Sequence, residues 1–217
     1  MSETSPAPTI LTWVVGPLQT SIYAIACTRT NEAVLIDAGG QAPQVLKDLK
    51  DQDLSLQAVW QTHAHIDHIA GLPEIAQATG VPVFMHPDDM PLYRAAPQQA
   101  MMFGFDRLGD LPAIDHDLSD GQILSVGELQ AEVLLLPGHS PGSVGFYFKE
   151  LDLLFGGDVL FAGSIGRVDL PGSSIDQMRA SLERLKTLPD TTRVLPGHGP
   201  ATTIGEEKRF NPFMRGF

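Results

Sequence analysis

The 217-residue sequence predicts an α/β protein, read as a single domain over residues 1–217. Three observations carry that reading. Short apolar runs that break at glycine or proline alternate with stretches of helical period through the first half. Four further strand-like runs follow one another in the second half, so the chain falls into two similar halves without a sequence repeat. No linker or low-complexity tract divides them, and no apolar run approaches the ~20 residues of a membrane span.

The elements follow in order. TILTWVV (9–15) and TSIYAIAC (20–27) read as strands around a Gly16-Pro17 turn. AVLID (33–37) is a buried strand running into the turn Ala38-Gly39-Gly40. Residues 42–50 carry a helical pattern, and LQAVWQT (56–62) is a strand that delivers the chain to His-Ala-His-Ile-Asp-His. Residues 69–79 read as a helix and VPVFM (81–85) as the next strand. The segment 86–118 is rich in Pro, Met and Asp with weak periodicity; it reads as an irregular excursion with short helices and a candidate lid. QILSV, AEVLLLP, SVGFYFK and LDLLFGG, between residues 122 and 157, are the four successive strands. Ser174 with Gln177 three positions on is a capping box that opens a helix over 174–188, stopped before Pro189. TRVLP (192–196) is the last strand, and 205–210 a terminal helix.

Charge and cysteine usage exclude several function classes. With 26 acidic against 14 basic residues the net charge is -12, so neither a basic stripe for nucleic acid nor a polybasic membrane patch is present. The expected partner is a small molecule. The start, MSETSPAPT, lacks the basic and apolar regions of a signal peptide. The single Cys27 lies in an apolar run, reads as a buried small residue and rules out an internal disulfide. A reducing cytoplasm fits.

The chemistry concentrates in the histidines. Five of seven, His63, His65, His68, His139 and His198, stand where an apolar strand breaks, as do Asp67 and Asp158. A rigid strand end aims a ligand from the scaffold. On an extended segment His63 and His65 point the same way. Imidazole and carboxylate suit zinc, iron or manganese. Seven groups exceed what one ion uses, whereas two divalent ions sharing Asp158 accommodate them; zinc is favoured, with iron or manganese as alternatives. The competing reading, seven turn and capping residues, does not explain His-x-His-x-Asp-His together with two Gly-His-[Ser/Gly]-Pro elements and a Gly-Gly-Asp.

That motif set resembles the metallo-β-lactamase superfamily over residues of about 10 to 213. The resemblance implies an αββα sandwich: two mixed β-sheets packed face to face, helices outside, with the metal site at one edge. It implies His63, His65 and His139 at one metal, Asp67, His68 and His198 at the other, and Asp158 between. Asp158 differs from the true lactamases, and His65 from the flavo-diiron branch. SIGRVDLPGSS (164–174) and the tail PGHGPATTIGEEKRFNPF resemble the glyoxalase II (hydroxyacylglutathione hydrolase) group and its short relatives. The resemblance thus implies a dinuclear hydrolase that cleaves a thioester, S-acylglutathione included, with Asp67 and Asp158 catalytic and Arg167 meeting a substrate carboxylate. Asp169 and Pro200 stand where glutathione-binding relatives carry tyrosines, and the chain ends soon after His198, without the helical domain of full glyoxalase II. Two rivals share the motif: a persulfide dioxygenase with one iron on His63, His139 and Asp158, and a lactonase or other ester hydrolase. A non-catalytic metal-binding module is a third class.

Other residues read as ordinary. His86 is a loop residue or a neighbour of the ligands, His116 is at the surface, and Tyr147 is core. Asp37 is either a turn residue or the partner of a ligand histidine. Asn211-Pro212-Phe213 docks the tail. Met90, Met101, Met102 and Phe103 read as core, with the lining of a lidded pocket as the alternative.

Overall fold

The computed structural model describes residues 7–105 and 108–216; Asp106 and Arg107 of the excursion, residues 1–6 and Phe217 lie outside the described residues. The first half contains β1 (Thr9–Val15), β2 (Thr20–Ala26), β3 (Glu32–Ile36), α1 (Ala42–Asp51), β4 (Ser55–Trp60), α2 (Ile66–Ile69), α3 (Leu72–Thr79) and β5 (Val83–Met85). The excursion supplies a 3₁₀ turn, Pro87–Asp89, then α4 (Met90–Arg94), α5 (Ala96–Phe103) and β6 (His116–Asp117). The second half contains β7 (Ile123–Val126), β8 (Leu129–Leu135), β9 (Val144–Phe148), β10 (Leu153–Gly157), β11 (Leu160–Phe161), β12 (Ser164–Ile165), α6 (Ile175–Leu185), β13 (Arg193–Pro196), β14 (Thr202–Thr203), α7 (Ile204–Phe210) and α8 (Pro212–Arg215).

Two mixed six-stranded sheets result, ordered β1-β2-β3-β4-β5-β6 and β14-β13-β10-β9-β8-β7, with β11 and β12 as a small hairpin. The central strands β2, β3, β9 and β10 are apolar on both faces, and period-2 alternation divides their residues between cores. On β3, Val34 and Ile36 join Ile25, Trp60, Phe146, Phe148 and Phe155 in the core between the sheets. Ala33 and Leu35 face the other way, toward Val45 of α1 and Ile75 of α3. In the second sheet Tyr147, Leu154 and Val194 pack outward against Met178 and Leu182 of α6 and Ile204 of α7. Three cores between four layers make the αββα sandwich. Tyr147 and Cys27 are buried core residues, as expected.

The structure corrects three local expectations. The helix expected over 69–79 is two pieces. Gly71 donates to the Ala38 carbonyl and packs on Gly40, where a Cβ would come within 2.8 Å of the Gly40 Cα. Pro73 then sits in the first turn of α3; in a continuous helix its ring would meet the carbonyl of Ile69. Met101 and Met102 are not core: they are 78% and 76% exposed on the outer face of α5. Met90 and Phe103 do pack against the core. The excursion also contributes β6 to the sheet edge, parallel to β5, which its composition did not suggest.

Candidate metal centre

The predicted ligands come together at one edge of the sandwich. His63 and His65 leave the end of β4, and Asp67 and His68 lie on the short α2 that follows. His139 follows β8, Asp158 follows β10 and His198 follows β13. Every donor therefore sits just past the C-terminal end of a strand or on the turn after it. Close backbone approach requires glycine here. A Cβ on Gly197 would overlap the Asp158 carboxylate and the His68 ring, and Gly157, at φ 51, would carry one 2.7 Å from Thr62 Oγ1.

Ligand atoms of His63, His65 and His139 form one group within 4.8 Å of one another, and those of Asp67, His68 and His198 form a second. A third such group, His63, His68 and Asp158, spans them. Asp158 Oδ2 is 3.5 Å from His139 Nε2 and 3.3 Å from His198 Nε2, so one carboxylate oxygen faces both groups. His65 Nδ1 and His139 Nε2 are 2.8 Å apart, within hydrogen-bond distance.

Four of the five rings, those of His63, His68, His139 and His198, are oriented through the far nitrogen. Asp37 Oδ2 lies 2.7 Å from His68 Nδ1, and the Asp37 carboxylate also accepts from the Thr62 amide and hydroxyl. Asp37 is thus the partner of a ligand histidine, held at φ 63 in the turn after β3. With its side-chain amide turned to satisfy its neighbours, Gln61 donates to the same carboxylate. Thr62 Oγ1 in turn meets His63 Nδ1 at 3.0 Å. His139 Nδ1 donates to the Arg167 carbonyl and His198 Nδ1 to the Leu18 carbonyl. The Thr20 hydroxyl donates to Asp67 at 2.8 Å. Thr20, Thr62 and Asp89 are functional neighbours that sequence reasoning passed over; only the Asp-Asp pair at 88–89, one member fully buried, carried a trace of signal. His86 caps the turn beside them without touching a ligand, and His116 is at the surface over Phe84.

Burial and charge sort the protonation states. Burial, reinforced by His68, holds the His63 imidazole well below its usual 6.5, and burial beside His139 brings His65 down to about 3. Burial pushes His68 down as well, but Asp67, Asp158 and Asp37 outweigh it and hold its proton on well above 6.5. The same contest, won by hydrogen bonds to Asp158 and Asp67, raises His198 to about 9. Asp67, pushed up by burial, is drawn down to about 2 by His68, His198 and Thr20, and Asp158 is held well below the carboxylate range by His68 and His198. Two ionised carboxylates thus hold two protonated imidazoles where cations would sit.

The residues fit a metal. His63 Nε2, His68 Nε2 and Asp158 Oδ1 are buried without a hydrogen-bond partner. His68 Nε2 and Asp158 Oδ1 lie 3.4 Å apart, as an ion pair without hydrogen-bond geometry. An unpaired buried polar atom costs about 1–3 kcal/mol, and ligation would relieve all three. The donors open onto a cavity of about 430 Å³ with apolar walls from Leu18, Ile66, Phe103, Phe161, Ile165 and Leu170. Arg167 also lines it, but its side chain is 57% exposed and doubly bonded to Asp169 at 2.8 and 3.0 Å.

Comparison with known proteins agrees with this geometry. The chain is 38% identical over 205 residues to a probable metallo-hydrolase, YqgX, of Bacillus subtilis, covering 94% of this chain and 96% of the relative. It is 39% identical over 191 residues to the hydroxyacylglutathione hydrolase GloC of Haemophilus influenzae, covering 84% and 87%. The crystal structure of TTHA1623 in a di-iron-bound form superposes with a TM-score of 0.86 at 41% identity, covering 94% of this chain and 99% of that one. Among the described residues no helix is long and apolar enough to cross a membrane. The family model of the Metallo-beta-lactamase superfamily matches residues 15–198, which contain all seven donors, and with these relatives at the level of the whole chain the protein belongs to that superfamily, whose fold implies divalent-metal binding and supports a metal-dependent hydrolase.

Proposed function

We propose that the chain is a dinuclear metal-dependent hydrolase of small-molecule thioesters, S-acylglutathione included. One observation carries the reading: two donor groups meet at Asp158, whose Oδ2 faces His139 and His198 at 3.5 and 3.3 Å. His63, His65 and His139 would hold one ion and Asp67, His68 and His198 the other, with Asp158 shared. Zinc and iron both suit this nitrogen and oxygen donor set, and the di-iron form of a relative supports iron. When bound, the pair supplies a water acidified toward neutral pH and a polarised acyl carbonyl.

The chain's own groups do the rest. Asp67, fixed by Thr20, orients the attacking oxygen. The apolar wall of Phe103, Phe161 and Leu170 takes the acyl group and excludes bulk water. Arg167, at the rim, meets a carboxylate on the thiol half of the substrate in exchange for Asp169. Because that exposed pair is weak, a substrate carboxylate can displace Asp169. The name of GloC supports a glutathione thioester.

Elemental analysis of protein purified without added metal, followed by a thioester panel, tests the reading. The expected result is about two ions per chain and hydrolysis of thioesters, with S-acylglutathione preferred over thioesters of uncharged thiols. One iron per chain, with oxygen uptake on glutathione persulfide and no thioester turnover, would replace the hydrolase by the dioxygenase that uses His63, His139 and Asp158.

A further inference from the structure

Asp89 is fully buried, away from bulk water. Its carboxylate is consumed by three hydrogen bonds to two separate loops. Oδ2 accepts from the Ala64 amide, between His63 and His65, and from the Ser140 hydroxyl, next to His139, both at 2.8 Å. Oδ1 accepts from the Gly142 amide at 2.6 Å. The His139 loop closes tightly around it: a Cβ on Gly142 would lie 2.8 Å from the Asp89 amide nitrogen, and Ser140 Oγ meets Ser143 Oγ at 2.7 Å. One loop leaves the first sheet and the other the second, so a single carboxylate spans the two sheets at the point where His65 and His139 meet. Each oxygen faces a backbone amide that can only donate, Ala64 on Oδ2 and Gly142 on Oδ1, which a carboxylate satisfies and a carboxamide, with one acceptor oxygen, does not.

The other donors do not depend on it. His68 is held by Asp37, Asp67 by Thr20 and His198 by the Leu18 carbonyl. We propose that Asp89 is a positioning residue for one ion only: it sets the separation of His65 and His139, and hence the affinity of the His63–His65–His139 group, and leaves the Asp67–His68–His198 group unaffected. This rests on the dinuclear reading above. Groups that orient metal ligands typically contribute 10- to 100-fold in metal affinity.

The test is zinc(II) binding, by competition with a chromophoric chelator, in wild type, Asp89→Asn and Ser140→Ala, with folding followed by circular dichroism. In Asp89→Asn one class of site weakens about 10- to 100-fold and the other keeps its affinity. Ser140→Ala, which removes one bond of the three, weakens the same class by less. Adding His198→Ala to Asp89→Asn abolishes the class that had been retained. Two unchanged classes in Asp89→Asn, or both weakened in parallel as a general structural defect would do, overturn the proposal. If Asp89→Asn does not fold, Ser140→Ala decides by the same criterion. A wild type that binds a single zinc ion per chain overturns the dinuclear reading itself, before any variant is compared.

Discussion

Asp158 is the residue on which the two donor groups converge. It follows Gly156-Gly157 at the end of β10, where the absence of side chains lets the chain pass Thr62 and deliver the carboxylate between His68, His139 and His198. Replacement by alanine takes from His68 and His198 one of the carboxylates that hold their protons, leaving Asp67, and removes the shared oxygen. Asp158→Ala is therefore expected to lose both metals and about 10³-fold or more in kcat/KM, while melting as a folded protein. Full metal content with wild-type turnover would show that no ion is shared there. At this scale the sequence was informative about donors, left Asp37 open between a turn residue and a ligand's partner, and was silent about Thr20, Thr62 and Asp89. Histidine is scarce and cannot be mistaken for a core residue at a glycine break. Asp37, Thr62 and Asp89 are of common types, and their roles depend on partners 25 to 53 residues away.

The elements show where local rules prevail and where tertiary contacts override them. α6 obeys its local signals: Ser174 accepts from the Gln177 amide at 3.4 Å and the helix runs to Leu185, before Pro189. Ser174→Ala should cost about 1 kcal/mol, or about 3 °C in Tm by thermal denaturation, with kcat/KM unchanged, since the cap touches no ligand. A loss of turnover at unchanged Tm would mean that the start of α6 reaches the cavity. The break between α2 and α3 is the opposite case. Helical periodicity continues across Ala70-Gly71, but the backbone there pairs with Ala38, whose amide donates to His68 and whose carbonyl accepts from Gly71. That pairing turns Asp67 and His68 toward the other ligands. The tail behaves as its composition suggests: Asn211 is buried, caps α8 and donates to the Ser164 carbonyl.

For the whole molecule, the donor cluster makes stability depend on pH and on metal. Take the metal-free protein. His198, raised to about 9 from 6.5, stabilises fully below 6.5, and its contribution is lost as pH rises through 9; His68 acts in the same direction. His65, lowered to about 3, resists protonation that the unfolded chain accepts, so stability falls as pH drops from 6.5 toward 3, and His63 adds to this. Asp67, lowered to about 2 from 3.8, contributes above 3.8 and loses that contribution as pH falls through 2. The Tm of metal-free protein is therefore expected to peak near pH 6.5 and to decline on both sides. Metal loading keeps the imidazoles neutral, so the alkaline decline should vanish and zinc affinity should rise between pH 6.5 and 9. A flat alkaline limb in the metal-free protein, measured by calorimetry, would refute the assignment of charged His68 and His198. The sequence by itself determined the α/β class and the chemistry: strand and helix periods alternate through the first half, and five histidines and two aspartates stand where apolar strands break; the resemblance implied the sandwich of two sheets. Only the tertiary structure decided that Asp37 pairs with His68, that Asp89 bonds to the loops of His65 and His139, and that Met101 and Met102 face outward. The physical reason is that a period reports a residue's own face of its element, whereas a hydrogen bond between two sheets leaves no period in either strand.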